Sequence, residues 1–289
     1  MRLVALYDTA LELTQERLAA IWFHEAPTGD VTADLVTAQA HLAYTVLSNG
    51  RAARLLYSGG DADQIGSHVR PMFEAVLKAS YLHALHRDRA ADLIDILPFE
   101  QMRDLEDYSD AQRFLPAIRT ACLAVLRRRP SLLANVPNAQ RILAGELDPP
   151  YPRIRKMMAF PDIRAMLIEL NRSDPNWSLD LYPTIFRLTS GPIHGSYGFT
   201  RGRLGFTDGL GLVAFDLAPR CDAAPDYLMQ ATGYLLGTAG RIEMLLGTTE
   251  VPSQDLRCVM NQREAMTREM LSSGYLGRVI GGPPEKGAS

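Results

Sequence analysis

Apolar side chains recur at helical spacing along most of the chain. Between residues 3 and 23, Leu3, Leu6, Tyr7, Ala10, Leu11, Leu13, Leu18, Ile21 and Trp22 fall mostly on one helical stripe. Pro27-Thr28-Gly29-Asp30 breaks the pattern, and Thr28 or Asp30 can cap the next helix. Residues 32–57 form that helix, a long one ending at Gly59-Gly60. A third helix is predicted from Asp61 to His86 on the stripe Val69, Met72, Phe73, Val76, Leu77, Ser80, Tyr81 and Leu85. Pro71 should distort that helix or begin a new segment, because proline has no amide hydrogen to donate. Residues 87–108 read as shorter helical pieces interrupted by Pro98. The next helix, 111–129, carries Leu115, Ile118, Cys122, Val125 and Leu126 inside. It ends in Arg127-Arg128-Arg129, where positive charge complements the helix dipole.

The proline-rich stretch 130–152 is a connection with short helical turns. Residues 153–171 and 177–190 predict two helices around the loop Ser173-Asp174-Pro175-Asn176. A helix over 225–247 starts with Pro225 and closes at Gly247, and another over 253–272 is capped by Ser253 and stopped at Gly274. One segment departs from this pattern: residues 201–217 place Asp208-Gly209 between short apolar runs, a hairpin signal. Strands do not alternate with helices, and no glycine-rich phosphate loop is present. The expected fold is therefore all-α. It is a single helical domain over 1–280, with its core at about 30–247, one small β-hairpin near 203–216 and a flexible tail at 281–289.

Composition narrows the function classes. The 289 residues are 47% hydrophobic and 22% charged, with formal net charge -3, which fits a globular chain with a substantial core. A pI near 6.1 argues against a broad nucleic-acid or membrane surface. Lys78, Lys156 and Lys286 are the only lysines, so arginine supplies nearly all the positive charge. Cys122, Cys221 and Cys258 are too far apart for a metal-binding spacing. No apolar run approaches the ~20 residues of a membrane span. With no signal-peptide pattern at the N-terminus, a cytoplasmic location is expected. No cofactor motif is present. His83 and His86 stand three apart on a helix but lack a third metal ligand at suitable spacing.

The chemistry concentrates in Tyr182 to Ser196, YPTIFRLTSGPIHGS. Arg187 and His194 stand there with six residues between them, alongside Ser190 and Ser196. Gly191-Pro192 should end the preceding helix and leave His194 at its end or on the loop beyond. An imidazole there can act as general acid or base, and Arg187 can clamp a phosphate. The alternative is that His194 caps the helix end and Arg187 pairs with a carboxylate. A second piece, VRPMFEAVLKASYL, puts Arg70 and Glu74 at i, i+4, where an ion pair is the default. Glu74 could instead pair with Arg187 or His194, or stay unpaired with a raised pKa suited to a general base.

VRPMFEA, followed by Trp177 and then YPTIFRLTSGPIHGS, resembles an uncharacterised bacterial family of all-helical proteins, marked by an Arg-x-x-x-Glu helix and a later Tyr…Ser…His segment. That family is similar in turn to the HEPN superfamily of nucleotide-binding helical bundles. Many of those are metal-independent ribonucleases of toxin and anti-phage systems, in which two protomers share one cleft. The resemblance implies a HEPN-like bundle with extra helices that cleaves RNA as a homodimer. Arg187 would bind the scissile phosphate and His194 would serve as general acid/base. Arg70, Glu74, Tyr182, Ser190 and Ser196 would bind or orient the substrate. Leu188, where those enzymes carry a polar residue, and the acidic charge balance favour a second expectation. This is a non-catalytic helical module whose buried polar network holds a nucleotide-like ligand or a partner protein, such as a neighbouring gene product.

Overall fold

The computed structural model describes residues 2–21, 32–59, 62–106, 114–175, 177–179, 204–206, 213–215, 224–247 and 252–272. They are mostly helical. The chain divides into two compact units, Met1–Tyr81 with Ile163–Ser289, and Leu82–Asp162.

In the first unit, α1 (Arg2–Ala20), α2 (Ala33–Gly59), α3 (Ala62–Ala84), α9 (Ile163–Ser173), α10 (Ala224–Leu245) and α11 (Gln254–Ser272) are the helices. The first of these packs on α2, α10 and α11. The α1 stripe explains why: Leu6, Tyr7, Ala10 and Leu13 are buried. Tyr7 donates its hydroxyl to the carbonyl of Gly50 at 2.9 Å. A side chain at Gly50 would sit 3.1 Å from Leu11 Cδ2 and 3.3 Å from Leu235 Cδ2, so glycine allows three helices to converge. Along α3, every residue of the expected stripe except Leu85 is buried. Each large apolar side chain buried there contributes about 1.5–3 kcal/mol. Pro71 lies inside a continuous helix, so the chain accepts the lost amide donor in exchange for that packing.

At the far end of α1 a charged knot joins three helices. Arg17 Nε donates to Glu243 of α10 at 2.6 Å, and Arg17 Nη2 reaches Asp255 of α11 at 2.7 Å. Ser253 donates its hydroxyl and its amide N–H to the same Glu243 carboxylate, at 2.6 and 2.9 Å. Gly247 closes α10 with φ +65, the left-handed conformation expected for a glycine helix stop.

The second unit holds α4 (Ala90–Asp95), α5 (Leu97–Glu106), α6 (Leu115–Arg128), α7 (Ala139–Leu143) and α8 (Tyr151–Met158). Its core is built on Ile96, Phe99, Cys122, Leu126, Ile154 and Met158. Three local expectations change here. Pro98 starts α5 rather than interrupting it, because a first-turn residue has no intrahelical acceptor to lose. The helix expected over 153–171 is two helices, α8 and α9. They part around Phe160-Pro161, where proline removes a donor and pushes its predecessor to an extended conformation. Arg127-Arg128-Arg129 does more than complement a dipole. Arg127 bonds the Leu143 carbonyl, Arg128 pairs with Asp95 at 2.5 Å, and Arg129 pairs with Asp92 at 2.6 Å.

Leu204–Phe206 (β1) and Val213–Phe215 (β2) pair antiparallel, with Leu204 opposite Phe215, Gly205 opposite Ala214 and Phe206 opposite Val213. Of the helix expected over 177–190, residues 177–179 form a bend and turn rather than a helix, and the rest lies outside the described residues. The turn expected at Asp208-Gly209, the break at 27–30 and the 281–289 tail also lie outside them.

Candidate functional site

α3 and α10 run parallel and touch at intervals of seven residues. Near their N-termini, a side chain added at Gly66 would meet the Tyr227 ring at 3.2 Å. One heptad later the Phe73 and Tyr234 rings lie 6.0 Å apart, tilted by 44°. After another heptad Arg241 Nη2 donates to Ser80 Oγ at 2.7 Å. A constant seven-residue step on both helices is the register of a parallel coiled-coil-like seam. α2 packs alongside this seam, with Gln39 Nε2 donating to the Ala79 carbonyl at 2.8 Å.

Of the residues the sequence singles out, Arg70 and Glu74 lie on α3. Arg70 Nε donates to Glu74 Oε1 at 2.9 Å, and both side chains are half-buried. The default i, i+4 pair is thus formed. Tyr182, Arg187, Ser190, His194 and Ser196 lie outside the described residues.

The seam carries polar groups that no sequence motif marks. Asp226, Gln230 and Tyr234 stand one turn apart on α10. Asp226 is 5% exposed. Both its carboxylate oxygens, Gln230 Oε1 and the Tyr234 hydroxyl are buried without a hydrogen-bond partner. Unfilled buried polar atoms cost roughly 1–3 kcal/mol each, so a row of them marks a place that bulk packing does not explain. Burial pushes the Asp226 carboxyl up to about 6. It also raises the Tyr234 phenol, against a smaller opposing pull from Arg263. Arg263 of α11 closes over this part of α10. Its Nε donates to the Met229 carbonyl at 3.3 Å, and its Nη2 lies 2.7 Å from where a Gly233 side chain would begin. Burial holds the Arg263 guanidinium below its ordinary value.

Helix geometry places these groups on one edge. Counting roughly 100° per residue, Arg70 and Glu74 lie to one rotational side of Phe73 on α3. Gln230 and Asp226 lie to the opposite rotational side of Tyr234 on α10. Two parallel helices facing each other bring those opposite offsets to the same edge of their seam. The signal available in the sequence is a period-four row of polar residues, Asp226, Gln230 and Tyr234, in the first half of a largely apolar helix.

Other concavities are less suggestive. A cavity of about 10 Å³ between α2, α3 and α10, with Gln39, Thr238 and Arg241 in its wall, has room for a water-sized group. In the second unit a cleft of about 600 Å³ is lined by Met102, Leu115, Leu123 and Tyr151. Its polar pair, Arg119 and Asp148, is already joined at 2.9 Å. Among the described residues no group of three or more His, Cys, Asp or Glu is placed to hold a metal ion, and no helix is long and apolar enough to cross a membrane. Comparison of the chain with protein-family models, with curated proteins and with solved structures finds no match.

Proposed function

We propose that this chain is a helical binding module that holds a nucleotide-like ligand along the α3–α10 seam edge. The observation that carries the reading is the row Asp226, Gln230 and Tyr234, with its buried unpartnered atoms, on the same edge as Arg70 and Glu74. Preorganised acceptors on α10, with Arg70 beside them and Arg263 of α11 against Gly233, suit a ligand with hydrogen-bond donors at one end and negative charge at the other. The experiment is calorimetric titration with the four common ribonucleoside 5′-monophosphates. At least one should bind, and Arg70→Gln and Asp226→Asn should each weaken it about tenfold while circular dichroism stays unchanged. No binding by any of the four at millimolar concentration contradicts the reading.

A second reading is favoured by the Arg187 and His194 spacing in the sequence. In it the chain is a HEPN-like, metal-independent endoribonuclease of toxin or anti-phage type, acting as a cytoplasmic homodimer. Arg187 binds the phosphate and His194 is the general acid/base. It predicts RNA cleavage in EDTA that His194→Ala abolishes without unfolding the protein. Cleavage undiminished in that variant counts against it.

A further inference from the structure

Resting on the binding-module reading, we infer that the seam edge takes a guanine nucleotide, with the base at Asp226 and the phosphate at Arg263. Asp226 offers two carboxylate oxygens and Gln230 offers a third acceptor one turn away, all buried and without partners. An ionised carboxylate is acceptor-only, and its two oxygens match a planar fork of two parallel N–H groups. Among the common bases the guanine edge carries such a fork, its ring N–H beside its exocyclic amine. Adenine, cytosine and uracil cannot present two adjacent donors in this way.

Charge identifies the other end of the ligand. Arg263 spends its Nε on the Met229 carbonyl, and no carboxylate pairs with it among the described residues. Its guanidinium lies against Gly233, two turns along α10 from Asp226. Seven residues of helix span about 10 Å, comparable to the reach of a nucleoside monophosphate from base to phosphate. Tyr234 follows Gly233 on α10, and its unpartnered hydroxyl can serve a sugar hydroxyl as donor or acceptor.

The test is calorimetric titration of the full chain with guanosine, inosine and adenosine 5′-monophosphates, with guanosine lacking phosphate, and with arginine amide. Guanosine monophosphate should bind at least tenfold more tightly than inosine monophosphate, which lacks the exocyclic amine. Asp226→Asn should bring the two within threefold. Arg263→Gln should remove the advantage of the monophosphate over guanosine while leaving the preference over inosine. Circular dichroism and melting curves of each variant check folding, and the Arg263→Gln arm keeps the test alive if Asp226→Asn does not fold. Equal affinity for all three monophosphates overturns the guanine assignment but leaves the binding module standing. Arginine amide binding in place of guanosine monophosphate overturns it as well, whereas no binding of any monophosphate removes the underlying reading.

Discussion

Arg241 of α10 donates to Ser80 of α3 at 2.7 Å, two heptads beyond the point where Tyr227 lies against Gly66. The bond fixes the C-terminal end of the parallel seam, where the negative ends of two helix dipoles favour a cation. Burial lowers Arg241 to about 10, so the group stays charged at neutral pH and depends on its surroundings. Ser80→Ala should therefore cost about 1–2 kcal/mol in urea unfolding. The exposed Ser58→Ala should stay within about 0.5 kcal/mol. Equal stabilities of the two variants contradict the role given to this bond.

Two glycines should respond in opposite directions to alanine. At Gly50 a new methyl group meets Leu11, Leu235 and the Tyr7 hydroxyl at 3.1–3.3 Å. Gly50→Ala should forfeit the usual helical gain and lower the melting temperature. Gly237 meets nothing within 4 Å, so Gly237→Ala should gain up to about 1 kcal/mol. A stabilised Gly50→Ala variant contradicts the close approach of α1, α2 and α10.

Asp226 and Glu243 should tilt the pH dependence of stability in opposite senses. Asp226 has its folded value raised by burial from 3.8 to about 6. The folded chain holds that proton more tightly, so its contribution is full below about 4 and is lost as pH rises through about 6. Relative to Asp226→Asn, the wild type should lose about 1–3 kcal/mol between pH 4.5 and 7.5. For Glu243, burial pushes the value up, but the Ser253 hydroxyl and amide and then Arg17 outweigh it, and the net value falls below 4.5. Its contribution is present above that value and is lost as pH falls. Glu243→Gln should cost about 2–3 kcal/mol at pH 7 and less below pH 4. Parallel pH profiles for wild type and either variant contradict the corresponding assignment.

Gly233 offers a way to move one arginine without touching it. A methyl group there would lie 2.7 Å from Arg263 Nη2, and the flexible end of that side chain would swing aside. Gly233→Ala should keep the wild-type melting temperature within a few degrees and weaken monophosphate binding about tenfold. Unchanged affinity in that variant contradicts a phosphate role for Arg263.

Much of the helical frame is legible in the sequence, because a 3.6-residue apolar period reports directly which face is buried. The α3 stripe from Val69 to Tyr81 and the glycine stop at Gly247 are examples. Sequence and structure part where proline has two meanings. At Pro98 and Pro161 position decides: a proline in a first turn starts a helix, and one beyond a last turn separates two. Of the candidate site, Arg70–Glu74 follows from i, i+4 spacing alone. The row on α10 does not emerge, because Asp226, Gln230 and Tyr234 look like ordinary polar interruptions until a neighbouring helix buries them. The register of α3 on α10 is a long-range relationship that no local pattern encodes.

The most direct measurement is the ¹³C carboxyl resonance of Asp226, followed through a pH titration with and without guanosine monophosphate at ten times its dissociation constant. The expected midpoint lies near 6 in the free protein. With the nucleotide bound it should shift clearly downward, because donated N–H groups favour the ionised form. The same midpoint in both titrations would contradict a ligand seated on this carboxylate.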